Sequence, residues 1–170
     1  QSDVDGLVGG EFNLDQQGNA IETFHLTNYT PDDPPHGWDA VHAQWNGGAN
    51  DGFVIEHQKT HGDAVKHEVM GYHVREDLPV HYALADEYAL CDRWFCSLLG
   101  PTWPNRYYLH CGTSDGKTTN TPPLLGPKTI QDACKDAGIS NNNYYVDVPW
   151  KWGAFPLLGL STTAFPVNPE

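Results

Sequence analysis

Gly100-Pro101-Thr102-Trp103-Pro104-Asn105-Arg106 is the stretch on which the fold turns. Ahead of it, Leu90 to Leu99 partly alternates apolar and polar residues, the pattern of a strand or extended run. Behind it, residues 104 to 111 read as a short helix opening with Pro104, a residue suited to a first helical turn. A strand that stops at Gly-Pro, with a helix starting two residues after Thr102, presents a hydroxyl at a helix N-terminus. Unpaired amide N–H groups and the helix dipole favour a bound phosphoryl group there. The same hydroxyl also suits a plain helix cap, and spacing does not choose between the two. As a nucleophile, threonine needs a base or a metal to activate it.

Working back from this stretch, Asp77-Leu78-Pro79 predicts a helix start, with Asp77 as cap and Pro79 in the first turn. Leu78, Tyr82, Ala85 and Ala89 mark its apolar face. Residues 56 to 68 are polar and read as an exposed loop, although His57 and His61 are four apart and would share a helix face suited to a metal. Trp38, Val41 and Trp45 fall at helical spacing, and Gly47-Gly48 ends that helix. Residues 1 to 35 are loop-rich, with a short strand through Ile21 to Leu26, and Asp3, Asp5 and Asp15 match a calcium loop only loosely. Working forward, 113 to 128 is a Gly/Pro/Thr-rich loop. Thr129 caps a short helix ending at Gly138, and Asn143 to Val148 reads as a strand. The order of elements predicts an α/β layered fold in one domain over 1–170.

Composition narrows the function classes. Hydrophobic residues make up 39% and charged residues 18%, the balance of a globular chain rather than a disordered one. The formal charge of −13 repels nucleic-acid phosphates and provides no basic patch, so a nucleic-acid partner is not expected. An anionic membrane is repelled for the same reason, and a phosphorylated substrate has to be captured locally, most simply by a metal ion. No apolar run is long enough for a transmembrane segment. The first residue is Gln1 and the single methionine is Met70, so a signal peptide or longer N-terminal region is expected to have been removed. Cys91, Cys96, Cys111 and Cys134 are an even count that permits two disulfides in a secreted or periplasmic protein, in any of three pairings.

Three blocks carry a family resemblance. The first is His36-Gly37-Trp38-Asp39-Ala40-Val41-His42, continuing through Trp45-Asn46-Gly47-Gly48 to Asp51-Gly52-Phe53. The second comprises Met70-Gly71-Tyr72, Arg75, Asp77, Pro79 and His81 through Asp86. The third is Cys91-Asp92, Cys96-Ser97 and Gly100-Pro101-Thr102 with Pro104-Asn105-Arg106. In order and spacing, over residues 36 to 112, these resemble the bacterial phosphoesterases that include non-haemolytic phospholipase C and acid phosphatase. The resemblance implies part of an alkaline-phosphatase-like fold, a central sheet flanked by helices, apparently truncated at both ends.

The resemblance also implies roles. Thr102 corresponds to the nucleophile and touches one divalent metal ion, and Asn105 to a residue that hydrogen-bonds a non-bridging phosphoryl oxygen. A histidine near the phosphoryl group corresponds to His36 or His42. Arg106 is expected to pin the helix by a salt bridge. The implied activity is hydrolysis of a phospholipid or small phosphate ester through a phosphothreonine. The sequence departs from the family in lacking its Glu-Asn metal pair and its distal Asp-Asp pair. The other metal ligands are therefore expected outside this chain, and little activity is expected from the chain alone. A truncated sheet would leave an edge for association. The alternatives are a non-catalytic fragment and an aromatic-rich glycan- or lipid-binding module, for which Trp150, Trp152 and Phe155 are the candidate surface.

Overall fold

The computed structural model describes residues 4–122, 127–145 and 164–166, arranged in two compact units, 1–99 and 100–170. Residues 146–148 of the strand expected over Asn143 to Val148, and the Trp150, Trp152 and Phe155 surface, lie outside the described residues.

In the first unit, β1 (Phe12–Leu14) and β2 (Ala20–Glu22) form an antiparallel hairpin with Asn13 opposite Ile21. The Asp15 side chain closes the turn by accepting from the backbone N–H groups of Gln17 and Asn19. β3 (Phe24–His25) leaves that hairpin and pairs in parallel with β4 (Gly71–Tyr72). The single strand expected through Ile21 to Leu26 is thus two, broken at Thr23. The pattern of residues cannot show this, because the break reflects two different partners.

Helix α1 (Trp38–Trp45) runs as its spacing predicts and stops at Asn46, which adopts the left-handed conformation (φ 42°) before a short 3-10 turn over Asn46–Gly48. Residues 56 to 61, expected in an exposed loop, belong instead to helix α2 (Phe53–His61). Two of its polar residues are inside: His57 and Gln58 are buried beside Val54, while Lys59 and Thr60 face solvent. Helix α2 packs on α1, on β1 and on a 3-10 turn at Glu68–Met70.

Helix α3 (Pro79–Glu87) has Pro79 at its start as expected, but Leu78 and not Asp77 is the residue that precedes it. Asp77 instead accepts from the Val74 backbone N–H and the Tyr29 hydroxyl and pairs with His25. The strand expected over Leu90 to Leu99 is absent: the segment runs through turns, with Trp94 and Phe95 each 79% exposed.

In the second unit, α4 (Thr102–Cys111) packs against α5 (Ile130–Asp136), and β5 (Asn143–Tyr145) pairs in parallel with β6 (Ala164–Pro166). Thr129 caps α5 as expected, in a reciprocal box with Asp132. Tyr107 is the buried anchor of α4, its hydroxyl donating to the Thr121 carbonyl at 2.7 Å. The architecture is mixed α/β. Among the described residues each sheet has two strands, and the expected central sheet is not among them. Cys91, Cys96, Cys111 and Cys134 are not joined in disulfides among the described residues, so the two permitted bridges are not seen.

Candidate active site

Helix α4 begins two residues earlier than its Pro104 suggests, with Pro101 as N-cap and Thr102 as the first helical residue. Thr102 is exposed, and its hydroxyl does not serve as the cap. The start of a helix ordinarily leaves four backbone amides unbonded. Two of those positions here are Pro101 and Pro104, which have no N–H. A third, Trp103 N–H, donates to Asn120 Oδ1 at 2.9 Å. Thr102 holds the fourth, and neither its amide nor its hydroxyl has a hydrogen-bond partner among the described residues. The local sequence therefore concentrates the free donor capacity of the helix end on one residue, which also carries a hydroxyl.

Asn105 lies one turn further on. Its Nδ2 donates to the carbonyls of Gly100 (3.3 Å) and Pro101 (3.1 Å). It ties the Gly-Pro turn to the helix, and its side chain lies on the same end of α4 as Thr102. Arg106 is exposed on α4.

The candidate histidines are in the first unit. His36 is exposed just ahead of α1, and its Nδ1 donates to the Pro34 carbonyl at 2.8 Å, with Asp33 Oδ1 at 3.6 Å. His42, half-buried on α1, donates from Nδ1 to the Trp38 carbonyl at 2.8 Å and has its ring 4.2 Å from that of Trp38. A carbonyl can only accept, so both rings carry their proton on Nδ1 when neutral and present Nε2 as an acceptor. That is the tautomer a proton acceptor needs.

His57 and His61 do share a helix face, with ring centroids 4.6 Å apart. The described residues hold no group of three or more His, Cys, Asp or Glu side chains placed to bind a metal ion. They do not by themselves make the metal site that the resemblance implies, and Thr102 is the one expected ligand within them.

The structural roles of two residues were not foreseen from the sequence, although the spacing of His57 from His61 was noted there. Asn120, in a Thr/Asn/Pro loop, caps α4 from 17 positions away. His57, in a polar run, is completely buried.

Comparison with known proteins agrees with the blocks found in the sequence. The family model described as "Phosphoesterase family" matches residues 5–156. Phospholipase C A of Mycobacterium tuberculosis is 37% identical over 119 residues, covering 64% of this chain and 23% of that protein. Non-hemolytic phospholipase C of Burkholderia pseudomallei is 32% identical over 142 residues, 75% of this chain and 19% of that protein. Non-specific phospholipase C1 of Arabidopsis thaliana is 32% identical over 163 residues, 86% of this chain and 30% of that protein. The chain thus spans less than a third of the length of these curated relatives. With a family match over nearly its whole length, the chain belongs to the phosphoesterase family.

Proposed function

We propose that this chain carries the nucleophile of a phosphoric ester hydrolase of phospholipase C type. The observation that supports this most directly is Thr102: an exposed hydroxyl on the first residue of α4, not used as a cap, on a residue whose amide has no hydrogen-bond partner among the described residues. Three relatives named as phospholipases C support the phosphodiester class of substrate, a phospholipid or a smaller phosphate ester.

In the proposed reaction Thr102 Oγ1 attacks phosphorus and gives up its proton to a base. The phosphorus–oxygen bond to the alcohol breaks, and the alcohol leaves with a proton. Water then attacks the phosphothreonine, the phosphorus–Oγ1 bond breaks, and the phosphomonoester departs as the hydroxyl is restored. The Thr102 N–H and the helix dipole favour the charge on the phosphoryl oxygens. Asn105 is the proposed side-chain donor to a non-bridging oxygen. It has to turn its amide from the Gly100 and Pro101 carbonyls or share it with them. His36 or His42 is the proposed substrate-binding histidine, an assignment carried by the resemblance of the His36–His42 block alone. A divalent ion would supply further activation of the hydroxyl. The proposal includes an alkaline-phosphatase-like layering of the full domain and a secreted or periplasmic location. The location rests on the acidic surface and the even cysteine count.

Hydrolysis of p-nitrophenylphosphorylcholine and p-nitrophenyl phosphate tests this, on the chain and on any longer form of the same polypeptide, with and without divalent ions. Thr102→Val keeps shape and backbone and removes the hydroxyl. Turnover that Thr102→Val abolishes supports the assignment. Turnover that survives the substitution, or no turnover by any form, sinks it.

A further inference from the structure

His57 sits on the inner face of α2 beside Val54, both with no exposed surface. Neither ring nitrogen has a hydrogen-bond partner among the described residues. A neutral imidazole tolerates this at moderate cost. A protonated one would be a desolvated charge with no hydrogen-bond acceptor.

The ionisable groups around it do not remove that obstacle. On α2 itself the His61 ring lies 4.6 Å away, and His61 opposes a second positive charge. From the 3-10 turn that packs on α2, Glu68 favours the charged ring and the preceding His67 opposes it. Asp32, in the loop before α1, also favours it. Glu68 is already committed, accepting from Asn28 Nδ2 and from the Asp32 backbone N–H. Asp39 and His42 on α1 are not among the charges that act on the ring, and β1 (Phe12–Leu14) has no ionisable side chain. Burial is the largest influence, and it holds the neutral form.

We propose that His57 is an acid-sensitive latch of the α1–α2 layer: the ring takes a proton only by leaving its buried position, and α2 then separates from the elements packed on it. The release extends beyond the helix. Gln58 accepts from the Gln16 backbone N–H in the β1–β2 turn, and His61 donates to the Asp33 carbonyl in the segment leading to His36. Acid therefore frees both the hairpin and the segment that carries His36. The latch stands on packing alone and does not depend on the phosphoryl-transfer reading.

Urea unfolding of the chain between about pH 8 and about pH 5 is the test. The unfolded chain binds the His57 proton at about pH 6.5 and the folded chain does not, so stability falls as pH drops through that value. The folding equilibrium constant is expected to fall about tenfold per pH unit below about 6.5 in the native chain and in His61→Gln, and to stay level in His57→Leu. Carboxylates such as Asp15, whose ionised form the fold favours, lose their contribution only below about pH 4, outside this window. No pH slope in the native chain, an equal slope in His57→Leu, or a slope removed by His61→Gln overturns the latch. If His57→Leu fails to fold, ring nitrogen NMR of the native chain decides instead. The His57 ring is expected to stay neutral until the protein opens. A ring that titrates near pH 6.5 in the folded state overturns the proposal.

Discussion

Gly52 lies so close to the backbone of Ala43 that a methyl group on it would sit 2.8 Å from the Ala43 carbonyl carbon and nearer still to its oxygen. The Gly52 N–H also donates to the Gln44 carbonyl at 3.2 Å. Helix α2 therefore starts directly against the last turn of α1, and the Asp51-Gly52-Phe53 motif owes its glycine to that approach. Gly52 has φ −94°, so space and not backbone conformation makes the demand.

Gly52→Ala is expected to cost about 3 kcal/mol, at the upper end for overpacking, because backbone rather than a side-chain end must move. Gly37→Ala is the control: φ is −72° and nothing lies within 4 Å of an added Cβ. It is expected to change stability by about 0.5 kcal/mol or less. Urea midpoints of the two variants check the contrast.

The ion pair of Lys66 Nζ with Asp15 Oδ2, at 2.8 Å, buries the Asp15 carboxylate almost completely (side chain 1% exposed). Lys66 and the Asn19 side chain hold that carboxyl well below the usual range. Lys66→Met leaves the carboxylate inside with fewer partners and lowers the urea midpoint at neutral pH. A depressed carboxyl contributes stability above its unfolded pKa and loses it as pH falls toward the folded value. The gap between the native chain and Lys66→Met is therefore expected to narrow as pH drops below about 4. A gap that widens on acidification contradicts this account.

Asn120→Ala removes the side chain that accepts from the Trp103 amide at the start of α4, and is expected to cost about 1 kcal/mol, the usual value of a lost cap. Exchange of the Trp103 amide rises, while Tyr107, anchored by its hydroxyl on Thr121, holds the middle of the helix. Asn120→Asp keeps an acceptor and restores most of the protection. Residue-resolved hydrogen exchange measures all three.

Thr129→Ala opens the capping box of α5, in which Thr129 Oγ1 accepts from the Asp132 amide while Asp132 Oδ2 accepts from the Thr129 amide. The expected loss is about 1 kcal/mol, with Thr129→Ser restoring most of it. Helicity and the urea midpoint report the outcome.

Elements whose signal is local were legible from the residues. Helix α1 followed from Trp38, Val41 and Trp45, the α5 cap from Thr129, and the three blocks of chemistry from their spacing, which the family match over 5–156 agrees with. Elements defined by a partner were not. The 56–61 run looked exposed because its residues are polar, yet Gln58 is buried by its bonds to the Gln16 amide and the Gln17 and Asp63 side chains. Asp77 looked like a helix cap, and the structure uses it to gather Val74, His25 and Tyr29. Leu90 to Leu99 looked like a strand, and the structure runs it through turns and bends.

The sequence by itself determined the acidic character and the placing of a hydroxyl between two prolines at 101 and 104, because composition and covalent order settle those, and it carried the family through the resemblance of its three blocks to known members. Only the tertiary structure decided that Thr102 starts the helix, that Asn120 takes the neighbouring amide, and that a histidine from a polar run is sealed beneath α2. Each of these depends on which distant group arrives to satisfy or bury a polar atom, and no local pattern encodes that.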